Sequence, residues 1–212
     1  MGNKKIDEYY KELAKTITDP KATRNKAKDS SKYDVELMKL LADENKILLD
    51  LGAGTGLLIN HLVDDFKRIY AVEKFPEFSK FIQKTEKIII ENKDLLEWEN
   101  KFNIKFDIIS LFGVMNYFDE EEAILIYKKI FDNLNSNGIL VVKNQMGVNK
   151  DIIINGFSKE LQTNYYSEYR FVEKEINILK KIGFYDIEKK DIYPSEYNRW
   201  DNTHFYALIC KK

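Results

Sequence analysis

Cysteine is nearly absent from these 212 residues, with Cys210 standing alone. A single thiol supplies neither a disulfide framework nor a thiolate metal cluster. Histidine is almost as scarce. His61 and His204 are the two in the chain, too few for most catalytic metal sites, and no metal is expected. No run approaches the roughly 20 apolar residues of a membrane span. The first residues, Met-Gly-Asn-Lys-Lys, lack the apolar core of a signal peptide, and the Ser or Thr of a lipidation signal does not follow Gly2. Large charge imbalance is missing too. A formal net charge of −1 gives no electrostatic reason to expect a polyanionic partner. The expectation is a cytoplasmic protein without nucleic-acid or membrane partners, long enough for one domain or a core plus a small lid.

Helical spacing runs through residues 4–16 (Ile6, Tyr9, Tyr10, Leu13) until Asp19-Pro20 breaks it. A second helix is predicted over about 31–43. From there a periodic α/β pattern takes over. Short, unalternating apolar runs at 46–51, 68–73, 86–90, 105–111 and 138–143 suit the strands of a parallel sheet covered on both faces. Predicted helices fall between them. One begins near Leu57 and buries Leu58, Leu62 and Phe66; another presents Phe78, Phe81 and Ile82. A third is capped by Asp119, with Glu120, Glu121 and Glu122 at the positive end of its dipole and Asn137-Gly138 closing the unit. A helix at about 171–182 stops at Gly183. Two β-like runs, 184–193 and 203–210, then read as an antiparallel pair at the sheet edge.

The most informative stretch is Lys46-Ile-Leu-Leu-Asp-Leu-Gly-Ala-Gly-Thr-Gly56. A buried strand ends in an acid, Asp50, and glycines follow at 52, 54 and 56. Strand, tight glycine turn and helix make a nucleotide cradle, but Leu57 stands where a dinucleotide fingerprint places its third glycine. Asp50 would also repel a pyrophosphate. A cofactor carrying an ammonium and a sulfonium would welcome that carboxylate.

With this loop, an acid at the end of the second strand (Glu73) and one just after the third (Asp94), the chain resembles the class I S-adenosylmethionine (SAM)-dependent methyltransferases over about residues 46–145 and the final hairpin. The resemblance implies an α/β fold: a three-layer, doubly wound, seven-stranded sheet of order 3-2-1-4-5-7-6 with strand 7 antiparallel. It also implies a helical lid at 1–45 over a SAM-binding domain at 46–212. Asp50, Gly52, Ala53, Gly54 and Gly56 would wrap the methionine part of SAM. Glu73, with Lys74 beside it, would take the ribose hydroxyls. Asp94 and Leu95 would meet the adenine, Leu111 and Phe112 the adenosyl group, while Tyr10 and Tyr33 close over the cofactor. S-adenosylhomocysteine would be the product.

Substrate groups are expected at the carboxyl ends of the parallel strands. These are Gly113, Asn116 and Tyr117 after the fourth strand, and Asn144 and Gln145 after the fifth. Tyr165, Tyr166, Tyr169 and Arg170 come from the insertion before the last helix. Glu196, Tyr197, Arg199, Trp200 and Asn202 come from the hairpin loop, with His204 beside them. Rings and charged forks suit a small polar substrate, although the same tyrosines would serve as lid packing. His204 or Tyr117 is the candidate base for a hydroxyl, the alternative for His204 being a surface residue. Arg170, Arg199 and Lys143 suit a phosphate or carboxylate. Through Tyr193-Pro-Ser-Glu-Tyr-Asn-Arg-Trp200 and Tyr165-Tyr-Ser-Glu-Tyr-Arg170 the chain also resembles bacterial methyltransferases that modify sugars or phosphoryl-type groups, phosphoramidate included, of capsular polysaccharide. A protein or RNA methyltransferase and a non-catalytic SAM-binding subunit stay open. Either a monomer or a homodimer is compatible.

Overall fold

A computed structural model describes residues 4–24, 29–159, 161–198 and 200–212. In chain order its strands are β1 (Asp43–Leu51), β2 (Phe66–Glu73), β3 (Ile88–Asn92), β4 (Phe106–Phe112), β5 (Leu134–Gly147), β6 (Ile152–Ser158), β7 (Thr163–Tyr169), β8 (Tyr185–Lys190) and β9 (Thr203–Lys211). Its helices are α1 (Lys4–Thr16), α2 (Ser31–Lys39), α3 (Pro76–Ser79), α4 (Glu120–Asn133) and α5 (Val172–Ile182).

Seven strands form one sheet of order β3-β2-β1-β4-β5-β9-β8. The first five pair in parallel, and β9 runs antiparallel to both β5 and β8. Because β8 and β9 are the sixth and seventh strands of this sheet, the arrangement is the expected 3-2-1-4-5-7-6. Leu48, Leu49 and Leu51 are wholly buried in the central strand, as a strand covered on both faces requires.

Alternation along each strand divides the core in two. Leu49, Leu111, Val142 and Leu208 pack against α4 and α5. Leu48, Ile108, Val141 and Ala207 pack beneath α2. The same parity assigns every residue at a strand's carboxyl end to one layer or the other.

Local chemistry sets the helix ends. Asp119 accepts from the backbone N–H of Glu122 at 2.9 Å, and Glu122 accepts from that of Asp119 at 3.2 Å, a capping box. α5 ends at Gly183, whose N–H returns to Leu179 and Lys180.

Three expectations are corrected. The segment after the glycine loop is no amphipathic helix, only a single 3-10 turn at Ile59–His61. Leu58 and Leu62 are buried as expected, but Phe66 begins β2 opposite Asp43. The Asn60 side chain bonds the 81–83 backbone instead of continuing a helix face. Asn137-Gly138 does not end α4, which stops at Asn133; Asn137 sits at φ 65° where the β4–β5 register shifts. Finally, residues 152–169 form a separate two-stranded antiparallel sheet, β6–β7, which the sequence reading left as an insertion.

Replacing Asp119 by Ala removes one half of the capping box, a loss of about 1 kcal/mol. Thermal unfolding should show a midpoint lower by roughly 2–4 °C for a domain of this size; an unchanged midpoint would show that the cap contributes nothing.

Candidate active site

A cavity of about 840 Å³ opens over the carboxyl ends of the parallel strands. It is bounded by the glycine loop, α1, the β6–β7 hairpin and the β8–β9 connection. Its volume exceeds what one ligand of moderate size needs and falls within the range of small-molecule sites.

At the end of β1, the Asp50 carboxylate is 3% exposed and accepts a hydrogen bond from the Ser110 hydroxyl at 2.6 Å. Burial, with Glu73 and Asp34 adding like charge, pushes its pKa up to about 6. Glu73, also buried, accepts from the N–H of Gly54 and the N–H of Phe75, both at 2.8 Å. Desolvation raises its pKa against the lowering effect of those amides. The carboxylate therefore ties the glycine loop to the end of β2. Gly52 and Gly54 both have positive φ. A Cβ on Gly52 would lie 2.4 Å from Val114, whereas one on Gly54 would meet nothing within 4 Å. A bare backbone cradle thus faces the cavity beside two buried acids, of which Glu73 is held by backbone amides and Asp50 by a single hydroxyl. This donor set fits a ligand that brings positive charge and hydroxyl donors, and it opposes a polyphosphate.

Beyond the cradle, Lys74 bridges Asp94 at 2.8 Å and Asp7 of α1 at 2.7 Å, joining the N-terminal helix to the strand ends. Ala53, Leu95 and Phe112 line the same end. Tyr10, Asn116, Tyr117, Gln145, Tyr165, Tyr169, Tyr197 and Trp200 also line the cavity. Tyr10 and Tyr117 share a hydroxyl–hydroxyl hydrogen bond of 2.6 Å, and the Gln145 amide donates to Thr203 at 2.7 Å.

Seven sequence-selected residues lie away from this cavity. Leu111, Asn144 and His204 occupy the strand parity that faces α4 and α5. Leu111 is core; Asn144 is buried there without a side-chain partner. His204 stacks on Tyr206 at 4.4 Å and bonds Asp191 at 2.7 Å. The same alternation turns Tyr166 away from the cavity, where its hydroxyl reaches Glu168 at 3.3 Å. Gly56 packs on Ile82 and Asn60. Tyr33 sits in a ring cluster with Tyr193 and Tyr197. Arg170 is 3% exposed and binds Glu175 at 2.5 Å, Glu168 at 3.1 Å, and the carbonyls of Phe118 and Met115. Arg199 lies outside the described residues.

In exchange, the structure brings in Asp34 and Tyr193 beside the expected Lys143. The Tyr193 hydroxyl donates to Asp34 at 2.5 Å, and Lys143 pairs with Asp34 at 3.4 Å. Asp34 and Tyr193 had no sequence signal as site residues. Asp34 reads as an ordinary helix-start acid, and only tertiary packing buries it. Ile152, Ile154 and Leu161, from the β6–β7 hairpin, also line the cavity.

This geometry agrees with what the chain is similar to. A family model, the methyltransferase domain, matches residues 26–187, and the chain belongs to that family. Solved structures share its fold. The N-methyltransferase NodS from Bradyrhizobium japonicum, in complex with S-adenosyl-L-homocysteine, superposes with a TM-score of 0.69 at 15% identity, covering 96% of this chain and 98% of that one. The 1,6-didemethyltoxoflavin-N1-methyltransferase of Burkholderia thailandensis gives 0.69 at 14% identity, covering 98% and 84%. A SAM-dependent methyltransferase of Clostridium acetobutylicum gives 0.64 at 17% identity, covering 97% and 98%. No curated protein matches the chain.

The raised pKa of Asp50 carries a stability consequence for the ligand-free protein. Between the unfolded value of 3.8 and the folded value of about 6, the folded state holds the extra proton. Stability from this group is therefore complete below the unfolded value and is lost as pH rises through about 6. At pH above 7 the penalty is on the order of 2–3 kcal/mol. Asp50→Asn keeps an acceptor for Ser110 and removes the charge. Its ligand-free melting midpoint at neutral pH should rise by several degrees and should approach wild type near pH 4; a lower midpoint at neutral pH contradicts the assignment.

Proposed function

We propose that the chain transfers a methyl group from SAM to an oxygen or nitrogen of a small polar metabolite. The observation that carries this reading is the pairing of a bare glycine cradle with the buried, uncompensated Asp50 carboxylate at the end of β1. When bound, SAM supplies the activated methyl group. The chain does the rest. Asp50 receives the cofactor's ammonium, Glu73 its ribose hydroxyls, and Asp94 with Leu95 its adenine. Phe112 and Val114 limit water at the reacting end, and Asn116, Gln145 and the tyrosines hold the acceptor in line.

A small acceptor is favoured because α1 and the β6–β7 hairpin roof the chamber: Ile6, Tyr10, Ile152 and Leu161 all line it. Within the narrower expectation of a capsule-type precursor, the lining suits a sugar over a phosphate or phosphoramidate. Trp200 and Tyr197 offer ring faces, and Asn116, Gln145 and Asn202 offer neutral amides. Lys143, a cation that lines the cavity, is paired with Asp34.

Titration calorimetry with S-adenosylhomocysteine is the direct test. One molecule should bind per chain, and affinity should fall as pH drops below about 6, because Asp50 then takes up a proton. Asp50→Asn should weaken binding by roughly ten-fold or more, the worth of a charge-assisted contact. Absence of binding to the wild-type chain would overturn the proposal.

A further inference from the structure

We infer that the acceptor atom is an amine nitrogen, held against a cluster of neutral tyrosines and methylated without a general base from the protein. This rests on the reading that the chamber beyond the glycine loop receives the methyl acceptor.

The first observation is the cluster itself. α1 supplies Tyr9 and Tyr10, the turn after β4 supplies Tyr117, and β7 supplies Tyr165 and Tyr169. Tyr10 meets Tyr117 edge-on at 5.5 Å with their hydroxyls bonded, and Tyr9 meets Tyr10 at 5.1 Å and Tyr165 at 6.1 Å. Phenols are neutral at working pH, and burial raises the pKa of Tyr117 and of Tyr165 further still. Neutral phenols present ring faces and oxygen lone pairs, which is what a cation at nitrogen needs.

The second observation is that, apart from the exposed Glu196, the acids and imidazole described nearby are held by other groups or face the other layer. His204 faces the other layer and binds Asp191. Asp34 holds Tyr193 and Lys143. Glu73 holds two backbone amides and Asp50 holds Ser110. Glu196 is exposed at the rim. An alcohol acceptor requires proton removal during attack. A neutral amine brings its own lone pair.

The charge balance points the same way. The nitrogen lone pair forms the N–CH3 bond while the C–S bond breaks and its electron pair returns to sulfur. Positive charge moves from sulfur to nitrogen, and the product ammonium later gives its proton to water. Groups that stabilise a cation at the nucleophile therefore lower the barrier. With an anionic oxygen acceptor the charges would cancel, and the tyrosines would contribute no such stabilisation.

Matched acceptor pairs test this: amino sugars against their parent sugars, and alkylamines and arylamines against the corresponding alcohols and phenols. Each is incubated with the full chain and SAM, and the products are read by mass spectrometry. Only amine members should gain a methyl group, on nitrogen. The pH midpoint of kcat/KM should shift with the pKa of each amine. Tyr117→Leu should lower kcat/KM roughly ten-fold while Tyr117→Phe retains most of it, with S-adenosylhomocysteine affinity unchanged in both. Methylation on oxygen, one midpoint common to all acceptors, or no methylated amine from a chain that binds S-adenosylhomocysteine would overturn the inference. Failure to bind S-adenosylhomocysteine would strike the proposed function itself.

Discussion

Negative charge confined in a dry place governs this molecule. Asp50 is nearly wholly buried, and the charges that act on it most, Glu73 and Asp34, have its own sign. An ionised carboxylate in such surroundings is costly unless a cation or several donors compensate it. Ser110 supplies one donor and no cation. The fold tolerates this strain because packing elsewhere is extensive, with Leu48, Leu49, Leu51, Ile108 and Ile109 fully buried around the same strands. The charge left without a cation makes the end of β1 chemically suited to a positively charged ligand.

Around that charge, the structure supports its site through buried polar clamps. Glu73 fixes the glycine loop by accepting from the amide of Gly54. Lys74 fastens α1 over the strand ends through Asp7 and Asp94. On the opposite layer, Arg170 joins Glu168 of β7, Glu175 of α5 and the carbonyls of Met115 and Phe118, the residues that flank Asn116 and Tyr117. The Tyr127 hydroxyl donates to the same Glu175. Buried ion networks of this kind add less to stability than to conformational specificity when every partner is satisfied. Here the specificity concerns the turn that carries Asn116 and Tyr117, which Arg170 holds through the carbonyls on either side.

Much of this could be read from the sequence, and the failures share a physical cause. Asp50, Gly52, Gly54, Glu73 and Asp94 were legible because strand ends, glycine spacing and acids are local signals. The sheet order followed from the succession of apolar runs and the final antiparallel pair. Leu111, Asn144 and His204 were misassigned because a strand's two faces differ by one residue. Only the packing of α4 and α5 shows which parity meets the cavity. The helix expected after Gly56 failed because Phe66 was claimed by β2, leaving nine residues to span the gap. The β6–β7 hairpin escaped because its outward face leaves Ile153 and Phe157 exposed, which blurs the polar-out alternation expected of such a strand.

The sequence alone thus determined the sheet, the glycine cradle and the acids at its rim, since these depend on neighbours within a few residues. Tertiary structure decided the acceptor side. Asp34, Lys143, Tyr193 and the tyrosines of α1 and β7 are far apart in the chain, 159 residues in the case of the Asp34–Tyr193 hydrogen bond. They meet only when the strand ends, the N-terminal helices and the hairpin are packed together. Burial then gives them a property that no local pattern encodes: a carboxylate locked to a lysine away from water.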